Sequence, residues 1–124
     1  MAEHDDFTAK LMEDMPDNLL DFVKTKVTSF IKWDLIRFFH ENPDTVDTAE
    51  NIARYAGRSL AAVEPELEDL EASGIMQRKL IGDKVVFTLT DDPEMRDIIG
   101  AFVRACEDRQ FRVKAVYHII RGMQ

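Results

Sequence analysis

The sequence holds a single cysteine, Cys106, among 124 residues, so no disulfide closes within the chain and no thiolate metal cluster can be built from it. Such a residue reads as a small buried hydrophobe rather than a reactive thiol. The five glycines are not clustered, which excludes a loop that cradles phosphate through its backbone. His4, His40 and His118 are the only histidines, and none falls at metal-ligand spacing. No metal and no cofactor is therefore expected. Nothing local joins a histidine to Cys106 or to a carboxylate, so no catalytic residue is assigned and the chain reads as non-enzymatic. The apolar runs are too short to span a bilayer, and no charged, apolar and small-residue series opens the chain as a signal peptide would. The expected location is the cytoplasm, with no membrane partner.

What the sequence does have is an excess of acids, 24 against 16 bases. Its net charge is −8, with 45% hydrophobic and 32% charged residues, the profile of an ordinary globular protein of one domain. The acids are unevenly placed. Residues 1–56 carry 12 acids and 6 bases, residues 57–76 carry 5 acids and 1 base, and residues 77–124 carry 7 acids and 9 bases. Acidity thus peaks in the middle of the chain, and long-range attraction to nucleic-acid phosphate is weak there.

Residues 1–16 fit two readings, a polar tail or a short docking helix. Residues 17–124 read as a single domain. Apolar spacing of three and four from Leu19 to Phe39 predicts helix up to Pro43, either continuous or broken before Trp33, where Thr25, Val27, Thr28 and Ser29 form helix poorly. Asp47 to Glu50 resembles a capping box with Asp47 as the cap, opening a short helix with Ala49, Ile52, Ala53 and Ala56 on one face. Gly57 suits the left-handed residue of a tight turn. The following helix is expected to bury Leu60, Val63, Leu67 and Leu70. Its regular part should start near Ala61 or Ala62, with Pro65 in its first turns, and it should end at Gly74. Met76 to Thr90 predicts a β-hairpin about Gly82-Asp83, with Val85, Phe87 and Leu89 alternating against Lys84, Val86 and Thr88. Asp92 caps a C-terminal helical region, residues 92–122, with Pro93 at its first position. Glu107 to Gln110 interrupts its apolar pattern, so it is either two helices or one helix with a polar layer.

In this order the segments WDLIRFF, DTAENIARYAG, SLAAVEPELEDLEASGIM and the hairpin ending FTLT resemble a winged helix-turn-helix of the bacterial regulator kind, similar to the multiple-antibiotic-resistance and arsenic-resistance repressors. The resemblance spans residues 33–90. It implies a mainly α fold with a small β-hairpin (α+β), flanked by N- and C-terminal helices that pair two chains. It also implies a recognition helix whose exposed face comprises Arg58, Ser59, Ala61, Ala62, Glu64, Glu66 and Glu68, and a wing carrying Arg78, Lys79 and Lys84. The C-terminal stripes offer Ile98, Ile99, Phe102, Val113, Val116, Tyr117 and Ile120 as a homodimer seam. A groove reader needs donors for phosphate and base edges, and this helix offers mostly carboxylates. The expected function is accordingly a small regulatory module acting through protein–protein interaction. The alternative is a transcription regulator that binds duplex DNA through the wing and the C-terminal bases Arg104, Arg109, Arg112, Lys114 and Arg121. A third class is a small-molecule sensor with a pocket between the aromatic N-terminal helix and the C-terminal one.

Overall fold

The structure is a computed structural model describing residues 2–124, with side chains from Asp6 onward. Met1, at the edge of the segment read as tail or docking helix, lies outside the described residues. Among the described residues seven helices and three short strands follow one another as α1 (Ala2–Met12), α2 (Asp17–Thr25), α3 (Phe30–Glu41), β1 (Val46–Asp47), α4 (Ala49–Ala56), α5 (Leu60–Ala72), β2 (Met76–Ile81), β3 (Lys84–Leu89), α6 (Pro93–Ala105) and α7 (Arg109–Gly122). The fold is mainly α with a small antiparallel sheet, and of winged-helix type.

Local chemistry sets the breaks. The long aromatic N-terminal helix is interrupted at residues 26–29, and the Ser29 hydroxyl caps α3 by accepting from the Lys32 N–H at 3.0 Å. In the C-terminal region the polar interruption is a true break. Asp108 caps α7 through the Phe111 N–H at 2.9 Å, so residues 92–122 form two helices. Helix α1 lies along α7, where His118 Nε2 donates to the Met12 carbonyl and Lys114 Nζ to the Asp14 carbonyl, both at 2.8 Å.

Two expectations need correction. The cap of α4 is Thr48, whose hydroxyl accepts from the Asn51 N–H at 3.3 Å. Asp47 precedes it in β1, a strand too short to leave a pattern in the sequence. Because β1 pairs with β3 (Val46↔Thr88, Asp47↔Phe87), the sheet has three strands in the order β1-β3-β2 rather than two. That makes β3 the central strand. Val86, Phe87, Thr88 and Leu89 are all buried, so one-sided alternation fails there.

One continuous core joins the winged part to the flanking helices. Leu35, Ile36 and Phe39 of α3 meet Val63, Leu67 and Leu70 of α5 and Ile99 and Phe102 of α6 within it. Phe102 sits at the crossing, with ring centroids 5.4 Å from Phe22, 5.7 Å from Trp33 and 6.1 Å from Phe111. Aromatic contacts of this kind add about 0.5–1.5 kcal/mol each beyond burial. This junction packs the helix-turn-helix against α6 and α7.

Candidate nucleic-acid interface

The turn between α4 and α5 is built on Gly57, whose φ of 67° is left-handed. The Arg58 N–H bonds the Ala53 carbonyl at 3.0 Å and the Gly57 N–H bonds the Arg54 carbonyl at 3.1 Å, a Schellman closure of α4. One residue later Ser59 caps α5, accepting from the Ala62 N–H at 3.2 Å. The helix therefore starts at Leu60, a residue or two before the expected start. Leu60 is 37% exposed rather than buried, because the cap turns it outward, while Val63, Leu67 and Leu70 face the core as expected. Gly74, with φ of 85°, ends α5 by a second Schellman pair, Ile75 N–H to Leu70 at 2.9 Å and Gly74 N–H to Glu71 at 3.0 Å.

The charges on α5 are distributed differently from a simple acidic face. Glu66 turns inward to α3. There Lys32, only 8% exposed, places its ammonium 3.2 Å from Glu66 Oε2 and 3.2 Å from Asp69 Oδ2, and donates to the Thr28 hydroxyl at 2.7 Å. The buried Oε2 of Glu66 makes no hydrogen bond of good geometry, so this pair is held by charge rather than by a directed bond. Glu71 accepts from Arg78 Nε at 3.1 Å, and the Arg78 guanidinium lies 5.4 Å from the Phe87 ring centroid. At the leading edge Arg58 donates to Asp34 Oδ2 at 2.6 Å. Among the described residues, Glu64 and Glu68 are then the carboxylates of α5 left exposed without an ionic partner, beside Ser59, Ala61 and Ala62.

Across from this face stands the wing. Ile81 pairs with Lys84 around Gly82-Asp83, and the positive φ of 64° at Gly82 alone fits a II′ turn with glycine at its first central position. Lys79 and Lys84 are exposed, as are the apolar residues Leu80 (71%), Ile81 (60%) and Val85. A groove of about 440 Å³ separates the wing from α4 and α5. Asn51, Glu64 and Glu68 line one wall, and Arg78, Lys84 and Phe87 line the other. Its near wall is anchored by Asp47, whose carboxylate accepts from Tyr55 Oη at 2.7 Å, Asn51 Nδ2 at 2.7 Å and the Thr48 N–H at 2.8 Å. The Tyr55 and Asn51 hydrogen bonds hold the Asp47 carboxyl below its usual pKa range.

The remaining sequence-selected residues lie elsewhere. Arg104, Arg109, Arg112, Lys114 and Arg121 sit on α6 and α7, which pack against α1, α2 and α3, so they do not extend the wing's basic surface. Of the seam residues, Ile99 and Phe102 are wholly buried within this chain and unavailable to another copy. Val113 and Ile120 are exposed on α7, and Ile98, Val116 and Tyr117 are half-buried. Among the described residues no group of three or more His, Cys, Asp or Glu side chains is placed to hold a metal ion, and no helix is long and apolar enough to cross a membrane.

Helix, glycine turn, capped second helix and hairpin together define a winged helix-turn-helix. A solved structure shares its architecture. Reduced AbfR, solved bound to DNA, aligns over 98% of this chain and 85% of its own, with 19% identity and a TM-score of 0.53. A possible transcriptional regulator from Methanosarcina mazei Go1 aligns over 85% of this chain and 80% of its own, with 16% identity and a TM-score of 0.44. The likeness to AbfR is one of fold. No protein-family model matches the chain, and no curated protein matches it.

Proposed function

We propose that this protein is a non-enzymatic transcription regulator that contacts duplex DNA through the leading turn of α5 and the wing. The observation that carries this reading is the removal of acids from the α5 face. Glu66 and Asp69 are drawn to Lys32, and Glu71 to Arg78. One ammonium against two carboxylates leaves a single negative charge on Glu66 and the exposed Asp69, so repulsion from phosphate is lowered to that charge together with Glu64 and Glu68, whose carboxylates can accept from the amino group of cytosine. Small residues at Ser59, Ala61 and Ala62 let the positive end of the α5 dipole approach a phosphate closely. Lys79 and Lys84 supply wing donors for the backbone. The shared fold with AbfR, a protein solved bound to DNA, supports the same reading. It replaces the protein-interaction module as the leading function, and the wing and α5, rather than the C-terminal bases, carry it.

Binding to a random-sequence duplex at low salt, followed by fluorescence anisotropy, tests it. Micromolar affinity that weakens as salt is added is the expected result, and no binding at any salt would overturn it. The exposed apolar wing residues Leu80, Ile81 and Val85 favour a second reading, in which the wing tip docks a protein. Under that reading, Leu80→Ser with Ile81→Ser leaves DNA affinity unchanged and abolishes the protein contact. The regulator acts as a homodimer, with Val113, Val116, Tyr117 and Ile120 of α7 as the seam. Sedimentation at micromolar concentration is expected to give twice the 14.3 kDa chain mass.

A further inference from the structure

A second cleft, of about 430 Å³, opens between α3, the end of α6 and the start of α7. One face of α3 supplies a wall of Phe30, Trp33, Asp34, Arg37 and Glu41 at helical spacing. Phe30 and Trp33 stack there, with centroids 6.4 Å apart and planes at 20°. Val103 and Cys106 add apolar surface. Burial pushes the Cys106 thiol up to about 11 against the pull of Arg112 and Arg37, so the sulfur is neutral at pH 7. The size falls within the range of small-molecule sites.

The charged groups around this surface are unequal in their freedom. Arg58 is taken by Asp34. Arg112 is held in place by two main-chain carbonyls, of Cys106 at 2.7 Å and Glu107 at 3.0 Å, which fix its guanidinium without neutralising it. Arg37, Glu41 and Glu107 have no side-chain partner among the described residues. Two guanidinium groups and two carboxylates therefore face one cleft unneutralised, beside a flat apolar wall. A simple anion would meet Glu41 and Glu107, and a simple cation would meet Arg37 and Arg112. An amphoteric molecule with an apolar body satisfies both.

We propose that this cleft binds a free amino acid with an aromatic side chain, its carboxylate toward Arg37 and Arg112, its ammonium toward Glu41 and Glu107, and its ring against Trp33 and Val103. Arg58 lies in the same cleft and directly precedes the cap of α5, so a carboxylate seated on Arg37 and Arg112 adds negative charge beside the Arg58–Asp34 pair and draws Arg58 toward the cleft. That regulatory consequence rests on the DNA-binding reading, whereas the binding itself does not.

Trp33 is the only tryptophan, so its emission reports on the cleft directly. Titration of the full chain with L-phenylalanine is expected to give a saturable change in Trp33 fluorescence. Phenylacetate, which lacks the ammonium, and phenethylamine, which lacks the carboxylate, should each bind about tenfold more weakly, the cost of one lost ionic contact of about 1.4 kcal/mol. Arg37→Gln, an exposed change whose fold is checked by far-ultraviolet circular dichroism, should weaken L-phenylalanine and leave phenethylamine unaffected. No saturable change, or either analogue binding as tightly as L-phenylalanine, overturns the proposal. If L-phenylalanine binds yet leaves DNA affinity unaltered, the coupling through Arg58 is overturned and the site stands.

Discussion

Lys32 is the residue on which the surface of α5 depends. Its ammonium serves Thr28, Glu66 and Asp69 together, and its 37-residue separation from Asp69 explains why no sequence pattern announces it. From the sequence alone Glu66 belongs with Glu64 and Glu68 as an outward acid. Only the packing of α3 on α5 separates them. Replacing Lys32 by methionine would leave the Glu66 carboxylate buried without a counter-charge and should cost about 2 kcal/mol in urea unfolding. Asp69 is mostly exposed and adds little to that cost. Adding Glu66→Leu should recover most of the loss, since the pair would then be replaced by apolar packing. Failure of the second change to rescue would mean that Lys32 acts through Thr28 or Asp69.

Asp47 offers a pH test at the same scale. Its folded-state pKa is depressed below the usual 3.8, first by Tyr55 and then by Asn51. Folding therefore releases its proton more readily, and the stability it contributes is fully present above that value and lost as pH falls below it. The urea midpoint of Asp47→Asn should be lower than wild type at pH 7, and the difference should shrink as pH falls below the usual 3.8 and through the depressed folded-state pKa. Parallel curves at all pH values would remove Asp47 from the network.

At the scale of elements, the helix-turn-helix was the most legible part of the chain, because its signals are local. Gly57 and Gly74 occupy the left-handed positions that close α4 and α5, and Val63, Leu67 and Leu70 form the buried stripe. Nothing lies within 4 Å of a Cβ built on Gly57, so a side chain there meets only the backbone penalty. Gly57→Ala should cost about 1 kcal/mol and Gly57→Asn less, as measured by thermal unfolding. The illegible element was β1. Two residues pairing across the chain to Phe87 and Thr88 carry no period, yet they convert β3 from an edge strand to a central one, whose second half is buried with α3 and α4 packed against the strand. Leu60 misled for a related reason, since its spacing fits the buried stripe while the Ser59 cap turns it to solvent.

At the scale of the molecule, a net charge of −8 opposes DNA binding at long range, and only the arrangement of charge can overcome it. That arrangement could not be read from the sequence. Composition placed an acidic segment over α5, whereas folding turns Glu66 inward to Lys32, pairs Asp69 and Glu71 with bases at the surface and leaves Lys79 and Lys84 exposed on the wing. It also separates the C-terminal bases from the wing and withdraws Ile99 and Phe102 from the seam by placing them in the shared core. Assembly should follow from what remains on α7. Val113→Asp with Ile120→Asp is expected to shift sedimentation from dimer to monomer without unfolding the chain, because both side chains are exposed.

The claim that the wing and the start of α5 bind duplex DNA is tested most directly by the salt dependence of that binding. Each phosphate contact contributes about −0.9 to the slope of log affinity against log salt. Wild type and a Lys79→Gln, Lys84→Gln double variant should be titrated against the same labelled duplex over a range of salt. The account predicts that the variant binds more weakly and that its slope is shallower by about 1.8, the loss of two contacts. Equal slopes for the two proteins, or no binding by the wild type at low salt, would contradict it.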